Sequence, residues 1–241
     1  MGDDLDSLRD SSARTEAPDS FALENPWLLR ARLGGGELQA RLGTMVVYQG
    51  TLSFERSKVG WRRILRRAVT PEGGRLMRVS GTGEVFLAHL GQQVYRICLD
   101  DDEMTCNSRN LLAFESGVDW DIRRIRAGLA GKVAGGLFNT HLSGTGWVAL
   151  LSQGRPVLLR PSEAPTFADP QAAIAWSGGL ATSFETEFQT RTLVGLGSGE
   201  SIRMGFSGDG WVLVQPSEGV SAGGGGSSGG GGLLDLLFAG G

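Results

Sequence analysis

Three stretches of the sequence share one short signature, and this signature decides the fold. They read SGTGEVFLA (residues 80–88), SGTGWVALL (143–151) and SGDGWVLVQ (207–215). The first glycines of the three tetrads, Gly81, Gly144 and Gly208, lie 63 and 64 residues apart (144 − 81 and 208 − 144). Self-similarity at a fixed period indicates one supersecondary unit used repeatedly, with each copy burying an apolar face against its neighbours. The spacing therefore predicts three copies of one unit.

A second marker repeats with the same period. It is an apolar strand that ends in an aromatic residue, then a turn with glycine, then an aromatic residue followed by a carboxylate. The copies read MVVYQGTLSFE (45–55), NLLAFESGVDWD (110–121) and AIAWSGGLATSFE (173–185). Within each unit apolar and polar residues alternate with a period of two, and the segments are short, which is typical of strands. The fold class predicted from these patterns is all-β.

The glycines of the tetrads are expected to form tight turns that lead into the following strands. Glycine tolerates positive φ without steric cost, and tight hairpin turns need such residues. The chain has 39 glycines in 241 residues, which suits many turns of this kind. We therefore predict structural turns at Gly81, Gly83, Gly144, Gly146, Gly208 and Gly210.

Two stretches have a helical rather than a strand-like pattern. They are WRRILRRA (residues 61–68) and WDIRRIRAGLAG (residues 120–131), and they precede the first two tetrads at comparable distances. We predict that each forms a short crossover helix in its unit.

The repeat pattern fails at both ends of the chain. Residues 1–19 are polar and charged with little to bury, and we expect them to be disordered. The glycine-rich stretch SAGGGGSSGGGG (221–232) predicts a flexible linker. It leads to the apolar tip LLDLLFAGG (233–241).

The part between these ends, residues 20–220, is predicted to be one domain. Its repeats span about 26–90, 91–152 and 153–219. Units of about 64 residues are marginally stable alone, so we expect the three to fold as one cooperative body.

The overall composition argues against several classes of protein. The chain has 23 Lys and Arg against 26 Asp and Glu, a formal net charge of −3, whereas a general nucleic-acid binder usually has a basic excess. Its two cysteines, Cys98 and Cys106, provide neither a disulfide framework nor a repeated metal-ligand spacing. The acidic start MGDDLDSLRD is neither a signal nor a transit peptide, and no apolar run approaches the roughly 18 residues of a membrane span. We expect a cytoplasmic protein without a cofactor.

Ordered matches over residues 21–219 extend these patterns to a known family. They are FALENPWLLRARL, MVVYQGTLSFE, LMRVSGTGEVFLA, NLLAFESGVDWDIRR, AGGLFNTHLSGTG, QAAIAWSGGL and FSGDGWVLVQPSEG. In these stretches the chain resembles the altered-inheritance-of-mitochondria protein twenty-four family, especially its bacterial members.

The resemblance implies a fold like that of the trp RNA-binding attenuation protein. That fold would be three consecutive β-sandwich repeats in a pseudo-threefold arrangement, and related proteins form homotrimers. The resemblance implies no enzymatic activity and supplies no catalytic or binding residues. The mitochondrial members are associated with inner-membrane organisation. The glycine-rich extension with its leucine tip departs from the core pattern of the family.

Two clusters of arginines are the candidate site for an anionic ligand. The first has Arg62, Arg63, Arg66 and Arg67, which share much of one face if residues 61–68 are helical. The second has Arg123, Arg124 and Arg126. In a trimer these clusters would form a ring of positive charge that meets anionic lipid headgroups or RNA phosphates. The alternative, which we favour, is a solvated face whose charges pair with nearby Asp and Glu.

Other candidate sites have plainer interpretations. The tetrads run into strands instead of opening helices, and in GLAGKVAGG Val133 stands where a phosphate-binding loop needs Ser or Thr. The acidic run LDDDEMT (99–105) lacks the alternating ligands of a Ca²⁺ loop and predicts a hairpin turn. His89 and His141 have no ligand partner at suitable spacing, so we interpret them as ordinary strand residues. We predict no metal site.

These observations favour a non-enzymatic oligomeric scaffold or interaction protein, linked to membrane or envelope organisation. The alternative is a binding module that holds RNA or an anionic membrane surface through the arginine ring. An enzyme with an unrecognised site ranks last. The apolar tip is a candidate hook for a protein partner, because a flexible tether raises the local concentration at a docking site; a tail with no role stays open. Its candidate contact residues are Leu233, Leu234, Leu236, Leu237 and Phe238.

Overall fold

The chain folds into antiparallel β-strands, which confirms the all-β class. The computed structural model describes residues 20–56, 76–124, 138–187 and 201–217. These residues form fourteen strands and one short 3₁₀ helix (Ser108–Asn110), with no α-helix among them. The strands are β1 (Phe21–Asn25), β2 (Leu28–Arg41), β3 (Met45–Arg56), β4 (Leu76–Leu87), β5 (Gln93–Asn107), β6 (Leu111–Glu115), β7 (Val118–Arg124), β8 (Phe138–Ser152), β9 (Val157–Leu159), β10 (Thr166–Ala168), β11 (Ala173–Ser177), β12 (Ala181–Glu187), β13 (Ser201–Ser207) and β14 (Val212–Val214).

The strands form one large sheet and one small sheet. The large sheet has the order β3-β4-β2-β6-β8-β5-β11-β14-β9, with β1 beside β2 and β7 beside β8. The small sheet has the order β10-β13-β12. In the first third of the chain β2 and β3 flank β4, and in the middle third β5 lies on one side of β8 and both β6 and β7 pair with it. In the last third β10 and β12 flank β13, while β9 and β11 flank β14.

Three clusters of buried apolar side chains hold these strands together. The first is built on β2 and β4 and includes Leu29 and Val85, and the second is built on β5 and β8 and includes Met104. The third includes Trp176 and Phe206, whose rings meet edge to face with centroids 5.5 Å apart. Burial of these side chains is the main favourable contribution to folding.

The tetrad glycines of the first two copies do not form turns. Gly81 and Gly83 lie inside β4, and Gly144 and Gly146 lie inside β8, so the prediction of turns is wrong at these four residues. Their φ angles are positive, at 124°, 150°, 118° and 146° in that order. The same backbone freedom that a turn needs is used here inside a strand, where the neighbouring strand passes very close.

The third tetrad does interrupt the strands. Gly208 and Gly210 lie in a bend between β13 and β14, with φ angles of 111° and 152°. All six glycines therefore adopt positive φ, although only this pair lies outside a strand.

The close approach is clearest between β3 and β4. A Cβ atom on Gly83 would lie 2.1 Å from the carbonyl oxygen of Gln49, and a Cβ on Gly81 would lie 2.2 Å from that of Thr51. Real Cβ atoms do not approach backbone oxygens so closely. Only glycine allows the two strands to pair here.

The predicted helix over residues 120–131 is wrong for residues 120–124. These residues belong to β7, which pairs with β8 along its whole length from Val118↔Gly144 to Arg124↔Phe138. The apolar residues Val118, Trp120 and Ile122 alternate with polar ones, and this period of two fits a strand. Residues 125–131 and the predicted helix at 61–68 lie outside the described residues.

The acidic run 99–105 is part of one long strand, and the predicted hairpin turn is wrong. β5 continues through it with a bulge, where the pairing with β8 shifts between Leu99 and Asp102. Asp101 takes a positive φ of 53° in this bulge, and its amide donates a hydrogen bond to Thr145 Oγ1 at 3.0 Å. A bulge accommodates the extra residue without reversing the chain.

The predicted disordered segment 1–19, the linker 221–232 and the apolar tip 233–241 lie outside the described residues. Three β-sandwich repeats of the trp RNA-binding attenuation protein type, and their boundaries, stay a prediction.

Replacing Gly83 by Ala should lower the free energy of unfolding by about 2 kcal/mol or more. The new Cβ would collide with the Gln49 carbonyl oxygen, and alanine is strained at this positive φ. Urea unfolding followed by circular dichroism measures the change. Gly34→Ala is the matched control, because nothing lies within 4 Å of a Cβ at Gly34 in β2. Equal stability of the two variants would contradict the account of the close approach.

Candidate functional site

The first four residues of β3 form an exposed row of apolar side chains, here called the apolar strip. The exposed fractions are 40% for Met45, 60% for Val46, 48% for Val47 and 45% for Tyr48. Within the described residues β3 pairs only with β4, so its other edge is unpaired. An exposed and uncharged strand edge is a template for pairing with another chain.

The strip is held in place by its neighbours in the sheet. β3 bulges at Val46, since Met45 pairs with Leu87 and Val47 pairs with Phe86. The ring of Tyr48 packs edge to face against Phe54, with centroids 5.1 Å apart. The strip is thus a fixed surface of the sheet.

The corresponding residues in the second and third copies of the marker are buried. Leu112, Ala113 and Phe114 in β6 are fully buried, while Ile174 and Ala175 in β11 are at most 1% exposed. They are covered because β6 also pairs with β2 and β11 also pairs with β5. Among the described residues, the same sequence element is therefore covered by a further strand in the second and third copies and left open in the first.

A second exposed edge lies at the other end of the chain. β10 pairs with β13 and, within the described residues, with no other strand. Phe167 at the centre of β10 is 50% exposed, and its ring lies over Gly205. A groove of about 390 Å³ runs beside it and is lined in part by Ser183 and Glu185.

The arginine clusters are described only in part. Arg123 is exposed on β7 and pairs in the ladder with Asn139. Arg124 ends β7. Arg62, Arg63, Arg66, Arg67 and Arg126 lie outside the described residues, so a ring of arginines stays a prediction. The tail residues Leu233, Leu234, Leu236, Leu237 and Phe238 also lie outside them.

His141 is a buried residue of β8 with two polar contacts. Its Nε2 lies 3.2 Å from Glu103 Oε2, and its Nδ1 lies 3.3 Å from Thr105 Oγ1. Burial lowers the pKa of His141, Arg123 lowers it further, and Glu103 opposes both effects. Sequence spacing missed Glu103 as a partner, because antiparallel pairing of β5 with β8 joins residues 38 positions apart in the chain (141 − 103).

The remaining reactive groups are few in the part of the chain that the structure describes. It contains no group of three or more His, Cys, Asp or Glu side chains placed to hold a metal ion. Burial raises the pKa of the Cys106 thiol, and burial together with Glu115 and Asp100 raises that of Cys98. Both thiols are therefore protonated at neutral pH and are weak nucleophiles.

No helix within the described ranges has the length and apolar character that crossing a bilayer requires.

Comparisons with known proteins confirm the family resemblance. The family model described as Mitochondrial biogenesis AIM24 matches residues 24–217 of the chain. A crystal structure of a protein from Streptococcus pyogenes is similar in fold, with a TM-score of 0.65 at 21% sequence identity, and the match covers 82% of this chain and 92% of that one. No curated protein matches the chain. At this level of identity the structural likeness shows the fold alone.

Replacing His141 by Gln should flatten the dependence of stability on pH. Its folded-state pKa is lowered, so the unfolded chain binds more protons in acid, and the stability due to neutral His141 falls as pH drops below about 6.5. Unfolding in urea from about pH 7.5 to about pH 5.5 measures this loss.

His89→Gln is the parallel variant, because burial and Arg41 lower the pKa of His89 as well. Each variant should remove its own share of the acid-induced loss, and the double variant should remove both. A His141→Gln chain that loses as much stability on acidification as the wild type would contradict the interpretation.

Proposed function

The chain belongs to the Mitochondrial biogenesis AIM24 family, and we propose that it is a non-enzymatic scaffold that self-associates, with three copies in the assembly. The observation that carries the proposal is the apolar strip on β3. Four consecutive apolar residues on a strand edge that has no partner among the described residues are unusual, since proteins protect such edges with charges, prolines or covering segments. A surface of this kind is expected to be buried in an assembly.

The finer arrangement of the fold is part of the proposal. Three β-sandwich repeats of the trp RNA-binding attenuation protein type account for the recurring arrangement, in which the strand before each tetrad glycine is flanked by two other strands of its third. They also account for three bulges at equivalent places. These bulges lie at Val46 in β3, Leu112 in β6 and Ile174 in β11. A closed pseudo-threefold arrangement is not part of the proposal, because it would pair β10 with β3 of the same chain, and these two strands do not pair with each other among the described residues.

The choice of a scaffold over an enzyme, the location and the biological process are also proposals. We place the scaffold in the cytoplasm and connect it with membrane or envelope organisation, and this connection rests on the family alone. The choice of a scaffold over an enzyme is supported by the two thiols, whose pKa values are raised, and by the burial of His141, which contacts Thr105 and Glu103 inside the sheet. The arginine alternative stays the second candidate, and Arg123 and Arg124 are the two of its seven residues that the structure describes.

Light scattering after size-exclusion chromatography at micromolar concentration tests self-association. The expected mass is three times the chain mass of 25.5 kDa. Val46→Asp should reduce the mass to that of one chain, because it places a charge in the surface that assembly would bury.

Leu90→Asp is the matched control. Leu90 is 87% exposed and lies outside the apolar strip, so this variant should keep the wild-type mass. A wild-type chain that runs as a monomer would overturn the proposal, as would a Val46→Asp chain with the wild-type mass.

A further inference from the structure

Two junctions inside the chain use the same strand pairing. In the first junction, β2 of the first third pairs with β6 of the middle third. In the second junction, β5 of the middle third pairs with β11 of the last third. The pairs are Leu38↔Glu115, Gln39↔Phe114 and Ala40↔Ala113 between β2 and β6, and Met104↔Ser177, Thr105↔Trp176 and Cys106↔Ala175 between β5 and β11.

The first partner of this junction has a counterpart in the last third of the chain. The equivalent residues can be identified because, within its own third, each pairs with the residue two places before the first glycine of the tetrad. The three pairs are Leu38↔Val79, Met104↔Leu142 and Thr166↔Phe206. Thr166 in β10 therefore occupies the place that Leu38 occupies in β2 and Met104 in β5.

The second partner has a counterpart in the first third. Tyr48 occupies the place of Phe114 and Trp176, because all three lie two residues after the bulge of their strand. Phe114 is fully buried and Trp176 is 5% exposed, whereas Tyr48 is 45% exposed. The difference follows from the pairing, since among the described residues β3 pairs only with β4, whereas β6 also pairs with β2 and β11 also pairs with β5.

The described sheets thus present two different strand edges, each of which is one partner of the junction. β10 offers the first partner of the junction and β3 offers the second. In the part of the chain that the structure describes, the two strands do not pair with each other. We propose that β10 of one copy pairs antiparallel with β3 of a second copy of this chain, in the register Thr166↔Gln49, Phe167↔Tyr48 and Ala168↔Val47.

The packing of the two internal junctions indicates what the new contact would bury. The bulged residue Leu112 packs into the first core cluster and Ile174 packs into the second, so each crosses from its own third into the preceding one. Val46 holds the same place and is 60% exposed. In the proposed contact it would pack against the third cluster of the neighbouring copy, beside Met204 and Phe206.

The chemistry of the six paired residues favours a second copy as the occupant. None of them is charged, so the contact buries no unpaired charge. Opposite aromatic residues such as Phe167 and Tyr48 also stabilise an antiparallel pair. Continuity with two junctions already formed in the chain sets both the direction and the register.

Such a contact is head-to-tail, which has a consequence for the assembly. Two different surfaces meet, so an open row of copies keeps one open edge at each of its two ends until a ring closes. This inference rests on the proposed self-association and specifies its geometry. Two-fold pairing of β3 with β3 would leave Phe167 outside the contact.

Complementation between two variants tests the geometry. Tyr48→Asp damages only the β3 edge, and Phe167→Asp damages only the β10 edge; both side chains are about half exposed, so the folds should be kept. Each variant alone should run as a monomer, because each contact would include one damaged edge. An equimolar mixture should form a dimer of one copy of each, since one intact contact remains and neither outer edge can extend it.

The controls separate this inference from the proposed function. Leu90→Asp should keep the wild-type mass, and circular dichroism should show unchanged strand content in all three variants. Monomeric wild type would overturn self-association itself. If the wild type is oligomeric, two results would overturn only the head-to-tail geometry. One is a Phe167→Asp variant with the wild-type mass, and the other is an equimolar mixture that stays monomeric.

Discussion

The fold depends on how closely neighbouring strands approach at the tetrad glycines. The carbonyl oxygens of Gln49 and Thr51 in β3 occupy the space that side chains on Gly83 and Gly81 in β4 would need. In β8 a Cβ on Gly144 would lie 2.5 Å from the carbonyl oxygen of Gly117. Because L-residues rarely adopt the positive φ found here, both the space and the backbone angle select glycine. Without this close approach the long strands β4 and β8 could not keep their pairing registers with β3 and β7.

A second constraint couples one third of the chain to the next. The apolar strands β6 and β11 do not pack only on their own thirds, because Leu112 of β6 and Ile174 of β11 enter the core clusters of the preceding thirds. The second and last thirds therefore each complete the core of the preceding one, and among the described residues β3 of the first third and β10 of the last third keep an open edge. In the proposed assembly, folding and association would use the same physical mechanism, the pairing of strand edges. No catalytic group is needed to explain why the edges are apolar.

Some of this organisation could be predicted from the sequence, and the reasons for the failures are specific. The period of 63 and 64 residues and the alternation of apolar residues were sufficient for the all-β class. The prediction of turns is wrong at the first two tetrads, because positive φ is common to turns and to the close approach of paired strands. Trp120 was assigned to a helix because the arginines that follow it extend a helical pattern, while its pairing with Leu142 of β8 decides the matter.

The candidate site was less predictable than the fold. The contact between His141 and Glu103 depends on the register of two distant strands. The exposure of Val46 and Tyr48 could not be read from their own segment, since the same pattern is buried at Leu112 and Phe114. What distinguishes them is that β3 has one partner strand among the described residues, whereas β6 pairs with both β8 and β2. The repeat identifies Val46 and Tyr48 as the equivalents of Leu112 and Phe114, but only the pairing of β2 with β6 shows why the first pair is exposed and the second is buried.

Hydrogen–deuterium exchange as a function of protein concentration tests the central claim most directly. The claim is that the edge formed by residues 46–49 is covered by another copy, while the equivalent edge at 112–115 is covered by the same chain. The account predicts that amides at 46–49 and 166–168 lose protection together when the protein is diluted, while those at 112–115 stay protected. Protection at 46–49 that does not change with concentration would contradict it.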